Sequence, residues 1–160
     1  MADSEPVPND ESFMRRIARL AGEHPERAAI IFAALSGGEQ TLSWAALERQ
    51  TNQIARLLAD RGVSGNSMVV TGVWNSPEMI LFTIAAWKLG ARVLPLRAIL
   101  PLRERNAILQ LAQPALVLAE WDGLDWPVLA PQALRDTDAC SDDPLPDVPH
   151  PGKAIGSGGS

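Results

Sequence analysis

At 160 residues, 46% of them hydrophobic, the chain has material for one domain with a buried core, and wholesale disorder is excluded. Its formal charge of −5, with Lys88 and Lys153 as the only lysines, excludes a basic surface able to neutralise nucleic-acid phosphates. A single cysteine, Cys140, excludes an internal disulfide framework and a thiolate metal site, and fits a reducing compartment.

The segment Met1-Ala2-Asp3-Ser4-Glu5 is acidic and has no apolar core, unlike a secretory signal. The longest apolar run, Met79 to Trp87, is too short to span a bilayer. The expectation is a cytoplasmic protein with no membrane span and no nucleic-acid partner.

Residues 1–10 are polar and Pro-containing and are expected to be flexible. A helix is predicted from Glu11 or Ser12 to Ala21, with Phe13, Ile17 and Leu20 on one face and Gly22 ending it. Ala28 to Ala34 reads as a strand, and Ser36-Gly37-Gly38-Glu39 as the turn of a hairpin returning through Gln40-Thr41-Leu42. Ser43 then caps a helix running to Arg61, whose apolar stripe is Leu47, Ile54 and Leu58. Gly62 supplies the left-handed residue that follows.

Met68 to Val73 is a strand without a polar face, the kind found inside parallel sheets. Asn75-Ser76-Pro77-Glu78 combines a capping side chain, a first-turn proline and an acid near the helix dipole's positive end. The helix it opens is apolar nearly all round, hence buried, and Lys88 and Gly90 close it. Ala91 to Leu96 is the next strand, with Pro95 marking its end or a sheet edge.

Pro101 opens a helix to Ala112 with Leu102, Ile108 and Leu111 facing inward. Pro114 breaks it, and Ala115 to Ala119 is again an apolar strand. Val128-Leu129 adds a short one. The order strand, helix, strand, helix, strand predicts an α/β fold with right-handed crossovers on a mostly parallel sheet. The expected organisation is an α/β subdomain over residues 11–130, a Pro/Asp-rich loop over 131–152, and a strand leading into a Gly/Ser tract over 153–160.

Few side chains suggest catalysis. His24 and His150 flank prolines and read as solvated loop residues. Asp136, Asp138, Asp142, Asp143 and Asp147 lack the spacing and closing Glu of a calcium loop. Ser157 is not in a nucleophile elbow, because Ile155 stands where the first glycine belongs. Trp44, Trp74, Trp87, Trp121 and Trp126 read as packing residues. No catalytic residue and no metal ligand is assigned. The tract Gly156-Ser157-Gly158-Gly159-Ser160 has no bulky side chain, so its backbone N–H groups and hydroxyls can cradle an anion. The same composition also suits a flexible linker.

Four stretches in order resemble the adenylate-forming superfamily of acyl- and aryl-CoA ligases, luciferases and peptide-synthetase adenylation domains. They are Leu42-Ser43-Trp44-Ala45-Ala46-Leu47 with Thr51-Asn52-Gln53-Ile54-Ala55-Arg56-Leu57-Leu58; Arg61-Gly62-Val63-Ser64-Gly65-Asn66-Ser67-Met68-Val69; Asn75-Ser76-Pro77-Glu78 with Ala85-Ala86-Trp87-Lys88-Leu89-Gly90-Ala91 and Pro95-Leu96; and Ile155-Gly156-Ser157-Gly158-Gly159-Ser160. The last is similar to the first half of the family's phosphate loop, which identifies Ser157, Gly158, Gly159 and Ser160 as ATP-binding positions. Asn66, Trp44 and Ala46 depart from the family's usual Asp, Tyr and Glu. Leu100-Pro101-Leu102-Arg103-Glu104 and Leu111 to Leu118 resemble the bile-acid type of acid–CoA ligase.

The resemblance implies the truncated N-terminal subdomain of this fold. It implies a parent enzyme using ATP, Mg2+ and coenzyme A to adenylate a small carboxylic acid and pass it to a thiol. The loop lysine, the adenine pocket and the C-terminal catalytic lysine would lie beyond Ser160. By itself the chain is expected to be inactive, to hold none of these ligands firmly, and to self-associate or pair with a C-terminal part. The alternatives are a non-catalytic α/β interaction module and a fragment of an adenylation domain that feeds a carrier protein.

Overall fold

The structure, a computed structural model, describes residues 11–148. Helix α1 spans Phe13–Glu23, and its first turn is capped by Ser12, whose hydroxyl accepts from the Arg15 N–H at 3.1 Å. Contrary to the sequence reading, the helix passes through Gly22 and ends at His24. An i,i+4 ion pair between Arg19 and Glu23 at 2.8 Å spans that last turn. Met14 and Ile17 form the buried face, whereas Phe13 lies half-exposed with its ring edge-on to Trp87.

Strands β1 (Ala28–Ala33) and β2 (Glu39–Ser43) make an antiparallel hairpin of their own. Gly37 and Gly38 turn the chain with φ of +89° and +93°, values that other residues rarely adopt. Ser43 ends β2 and caps α2 (Trp44–Asp60) by accepting from the Ala46 N–H at 3.2 Å. The predicted stripe Leu47, Ile54 and Leu58 is fully buried.

A second sheet is parallel throughout, in the order β4 (Arg92–Pro95), β3 (Met68–Gly72), β5 (Leu116–Ala119), β6 (Val128–Leu129). Pro95 closes the edge strand β4, where a missing N–H costs least. Side chains alternate with period two. Val69, Val93, Leu116 and Leu118 face a core built with α2 and α3 (Pro77–Lys88), while Val70, Leu94, Val117 and Ala119 face Leu109 of α4 (Leu102–Ala112). The chain moves one way from β3 to β4 and the other way from β4 to β5. With α3 and α4 on opposite faces, both crossovers therefore have the same hand. The α/β reading with a parallel sheet holds.

Helix α4 corrects the predicted inward face. Leu102 and Leu111 are exposed, and the buried positions are Arg105 and Leu109, with Ile108 and Ala112 beside them. The reason lies just past β5: Trp121 offers an indole surface that the Arg105 guanidinium covers. Within the stretch expected as a loop, Pro131–Leu134 form one 3-10 turn, α5 in chain order. No helix among the described residues is long and apolar enough to cross a membrane.

Candidate functional site

Parallel sheets present ligand sites outside their carboxyl ends, at the point where the strand order reverses. Here that point lies between β3 and β5, since the chain visits β4 on one side of β3 and β5 on the other. A crevice of about 200 Å³ opens there, lined by Gly72, Val73, Trp74, Ala98, Glu120 and Trp121.

One side of the crevice is fixed by Trp121. Its indole N–H donates to the Ala98 carbonyl at 2.9 Å, which ties β5's exit to the segment after β4. The Arg105 guanidinium stacks over its ring at 4.8 Å. Gly72 leaves room for the ring: a Cβ there would lie 2.6 Å from Trp121 Cζ3 and closer still to Cζ2 and Cη2. A glycine inside a strand thus marks a close approach, here by an indole. Trp74 is exposed at the mouth, and Glu120 accepts from the Gln132 side-chain amide at 3.0 Å. This lining can seat a planar group. It holds no hydroxyl, thiol, imidazole or amine side chain, so it supplies no such nucleophile or base.

A polar network under α3 fixes the segment that leads away from the sheet. Lys88 is buried, with Nζ 2.6 Å from Glu48 Oε2 and 2.6 Å from Asn52 Oδ1. Burial pulls the Lys88 ammonium below its ordinary pKa, Glu48 opposes that, and Arg56 adds to it. Asn52 donates to Glu48 at 3.1 Å and to the Asp142 carbonyl at 2.9 Å, and Gln53 donates to the Cys140 carbonyl at 3.3 Å. Farther along, Asp147 takes a hydrogen bond from Ser12 at 2.8 Å and pairs with Arg15 at 2.7 Å. Residues 140–147 are therefore strapped to α2 and α1.

The sequence-derived site residues Ser157, Gly158, Gly159 and Ser160 lie outside the described residues, as does His150. Among the described residues no three His, Cys, Asp or Glu side chains converge to hold a metal ion, and the Asp-rich stretch spends Asp143 on Ser141 and Asp147 on α1. His24 is exposed beyond α1. Trp44 and Trp87 pack against the larger core and Trp121 and Trp126 against the smaller, while Trp74 is free of both. Sequence reasoning missed the Gly72–Trp121–Arg105 stack and the Lys88–Glu48–Asn52 network. The available signals were a glycine in an apolar strand, a lysine ending an apolar helix, and Glu48 and Asn52 four apart on α2.

Residues 17–153 match the AMP-binding enzyme family, and the chain belongs to it. It is 32% identical over 114 residues to bacitracin synthase 3 of Bacillus licheniformis, a match covering 71% of this chain and 2% of that protein. It is 36% identical over 100 residues to a crotonobetaine/carnitine–CoA ligase of Salmonella arizonae, covering 62% and 19% respectively. The chain thus spans a small part of the relatives it matches. The fold is that of the Klebsiella oxytoca NpsA N-terminal subdomain solved with anthranilyl-AMSN, at TM-score 0.73 and 22% identity, covering 93% of this chain and 39% of that one.

Proposed function

We propose that the chain is the opening part of an ATP-dependent carboxylate-activating ligase, placed at the start of its N-terminal subdomain. The observation that carries this is family membership over residues 17–153 together with a parallel sheet that presents a crevice at its switch point. Relatives named as peptide synthetases and as a CoA ligase support the coarse reaction and admit two acceptors.

In the reaction proposed, a carboxylate oxygen attacks the α-phosphorus of ATP and pyrophosphate leaves. A thiol then attacks the acyl carbon and AMP leaves. The acceptor is the thiol of coenzyme A or one tethered to a carrier protein, and the chemistry of attack is the same for both. Magnesium, when bound, offsets phosphate charge. Such catalysis is mostly positioning and electrostatic stabilisation.

The contribution proposed for this chain is phosphate binding by Ser157, Gly158, Gly159 and Ser160. Their backbone N–H groups and two hydroxyls are a donor set suited to phosphate oxygens. The straps on residues 140–147 hold the chain that leads toward this tract. Self-association or pairing with a C-terminal part belongs to the same reading, because β4 keeps one edge open among the described residues. The test is ATP–pyrophosphate exchange with a panel of small carboxylic acids. Acid-dependent exchange by the whole gene product supports the reading, and its absence with every acid contradicts it.

A further inference from the structure

A second cavity lies apart from the carboxyl-end crevice and shares no residue with it. It is a cleft of about 430 Å³ bounded by the hairpin, α2, the start of α3 and the stretch after β6. That size is within the range of small-molecule sites. Its polar end carries side-chain groups with unused hydrogen-bonding capacity. Thr137 is 4% exposed, and its hydroxyl has no hydrogen-bond partner among the described residues. Gln53 is 6% exposed; its NH2 donates to the Cys140 carbonyl, while its amide oxygen accepts nothing among those residues. Gln40 and Gln50 add two further carboxamides to the wall.

The other end is apolar. A small adjoining pocket shares Gln40, Gln50, Pro77 and Leu81 with the cleft and is completed by Ile30, Phe32 and Leu42 on the hairpin's inner face. Charge at the cleft is balanced, with Arg49 and Arg135 against Glu78 and Asp138, and Arg135 already paired to Glu78 at 2.6 Å. The lining therefore carries no net charge that would favour an anion over a cation. A carboxamide offers one donor group and one acceptor, so three of them and a hydroxyl complement a neutral group that also offers both.

We infer that this cleft binds a neutral amide carrying one aliphatic side chain, the chemistry of a peptide unit. The amide pairs with Gln40, Gln50, Gln53 and the Thr137 hydroxyl, and the side chain enters the Phe32–Leu42–Leu81 end. The Thr137 hydroxyl and the Gln53 amide oxygen are open to the cleft, so the ligand exchanges water on them for direct hydrogen bonds.

The test is an NMR titration of the 160-residue chain with N-acetyl-leucine amide, following the glutamine side-chain NH2 signals. The expected result is saturable shifts at Gln40, Gln50 and Gln53. Thr137→Val, which removes the hydroxyl and keeps the shape, is expected to weaken binding about five- to tenfold, the worth of one hydrogen bond. N-acetyl-glycine amide, lacking the aliphatic side chain, is expected to bind about tenfold or more weakly. Non-saturable shifts, equal affinity for the two amides, or a Thr137→Val variant that binds undiminished with its fold intact would each overturn the inference. Gln50→Ala gives an independent reading, since Gln50 makes no hydrogen bond within the described residues whose loss would disturb the fold.

Discussion

Gly72→Ala tests whether the Trp121 stack is as tight as its geometry implies. The new methyl would sit 2.6 Å from Trp121 Cζ3 and nearer to two other ring carbons, well inside van der Waals contact. Backbone strain plays no part, because Gly72 is absent from the positive-φ glycines. The indole must therefore move by about an ångström, and overpacking of this kind costs ~1–3 kcal/mol. The move also stretches the 2.9 Å bond to the Ala98 carbonyl, worth ~1 kcal/mol. It disturbs the Arg105 stack, worth a further ~0.5–2 kcal/mol. Alanine recovers ~0.4–1 kcal/mol through a less flexible unfolded chain. The net expectation is a loss of about 2–4 kcal/mol, read from urea unfolding followed by tryptophan fluorescence. Trp121→Ala removes the clash, so in the double variant Gly72→Ala should cost under about 1 kcal/mol. A loss below about 0.5 kcal/mol in the single variant, or strict additivity in the cycle, would refute the argument.

Further predictions concern charge and core. Lys88→Met leaves a half-buried Glu48 without its cation and the Asn52 oxygen without its donor, and should lower stability by ~2–4 kcal/mol, measured by the same unfolding assay; an unchanged midpoint would contradict the network. Glu78 is pushed up by burial, but its own backbone N–H, Arg135 and Ser76 hold its carboxyl below the ordinary value. Its contribution is thus present above the unfolded pKa and fades as pH falls through the folded one. Glu78→Gln should therefore destabilise at neutral pH and matter progressively less in acid, checked by thermal melts across pH 2–7; a pH-independent difference would count against the pairing. Phe82→Ala, at a fully buried position between α3 and the sheet, should cost ~3–5 kcal/mol, and a smaller loss would show a core able to collapse around the gap.

The elements were legible wherever one periodicity ran unopposed. The apolar stripe of α2, the capped start of α3 at Ser76, and the all-apolar β3 and β5 each left one plausible partner surface. Helix α4 was misread because Leu102 and Leu111 are more hydrophobic than Arg105. What decides its face is the indole of Trp121, a contact made across 16 residues that no local pattern records. Gly22 misled for a related reason: a helix ends where its carbonyls find other partners, and the last turn, closed by His24 bonding back to Leu20, runs two residues past the predicted end.

The site was legible only as resemblance. Gly156 to Ser160 give a phosphate-loop composition without saying what they face. The straps from Asn52 and Gln53 to residues 140 and 142 join positions about ninety apart, and amides on a helix announce no partner at that range. Lys88 is the clearest instance. On sequence it is a C-terminal helix charge near water, whereas packing of α2 on α3 places it in the core beside Glu48.

Acid-dependent exchange of labelled pyrophosphate into ATP tests the central claim most directly, run on the whole gene product with the 160-residue chain in parallel. The account predicts exchange by the former with at least one carboxylic acid and none by the latter. Exchange by the isolated chain would contradict the claim that it holds only the opening part of the site. No exchange by the whole product with any acid would contradict the ligase reading and leave a non-catalytic member of the family.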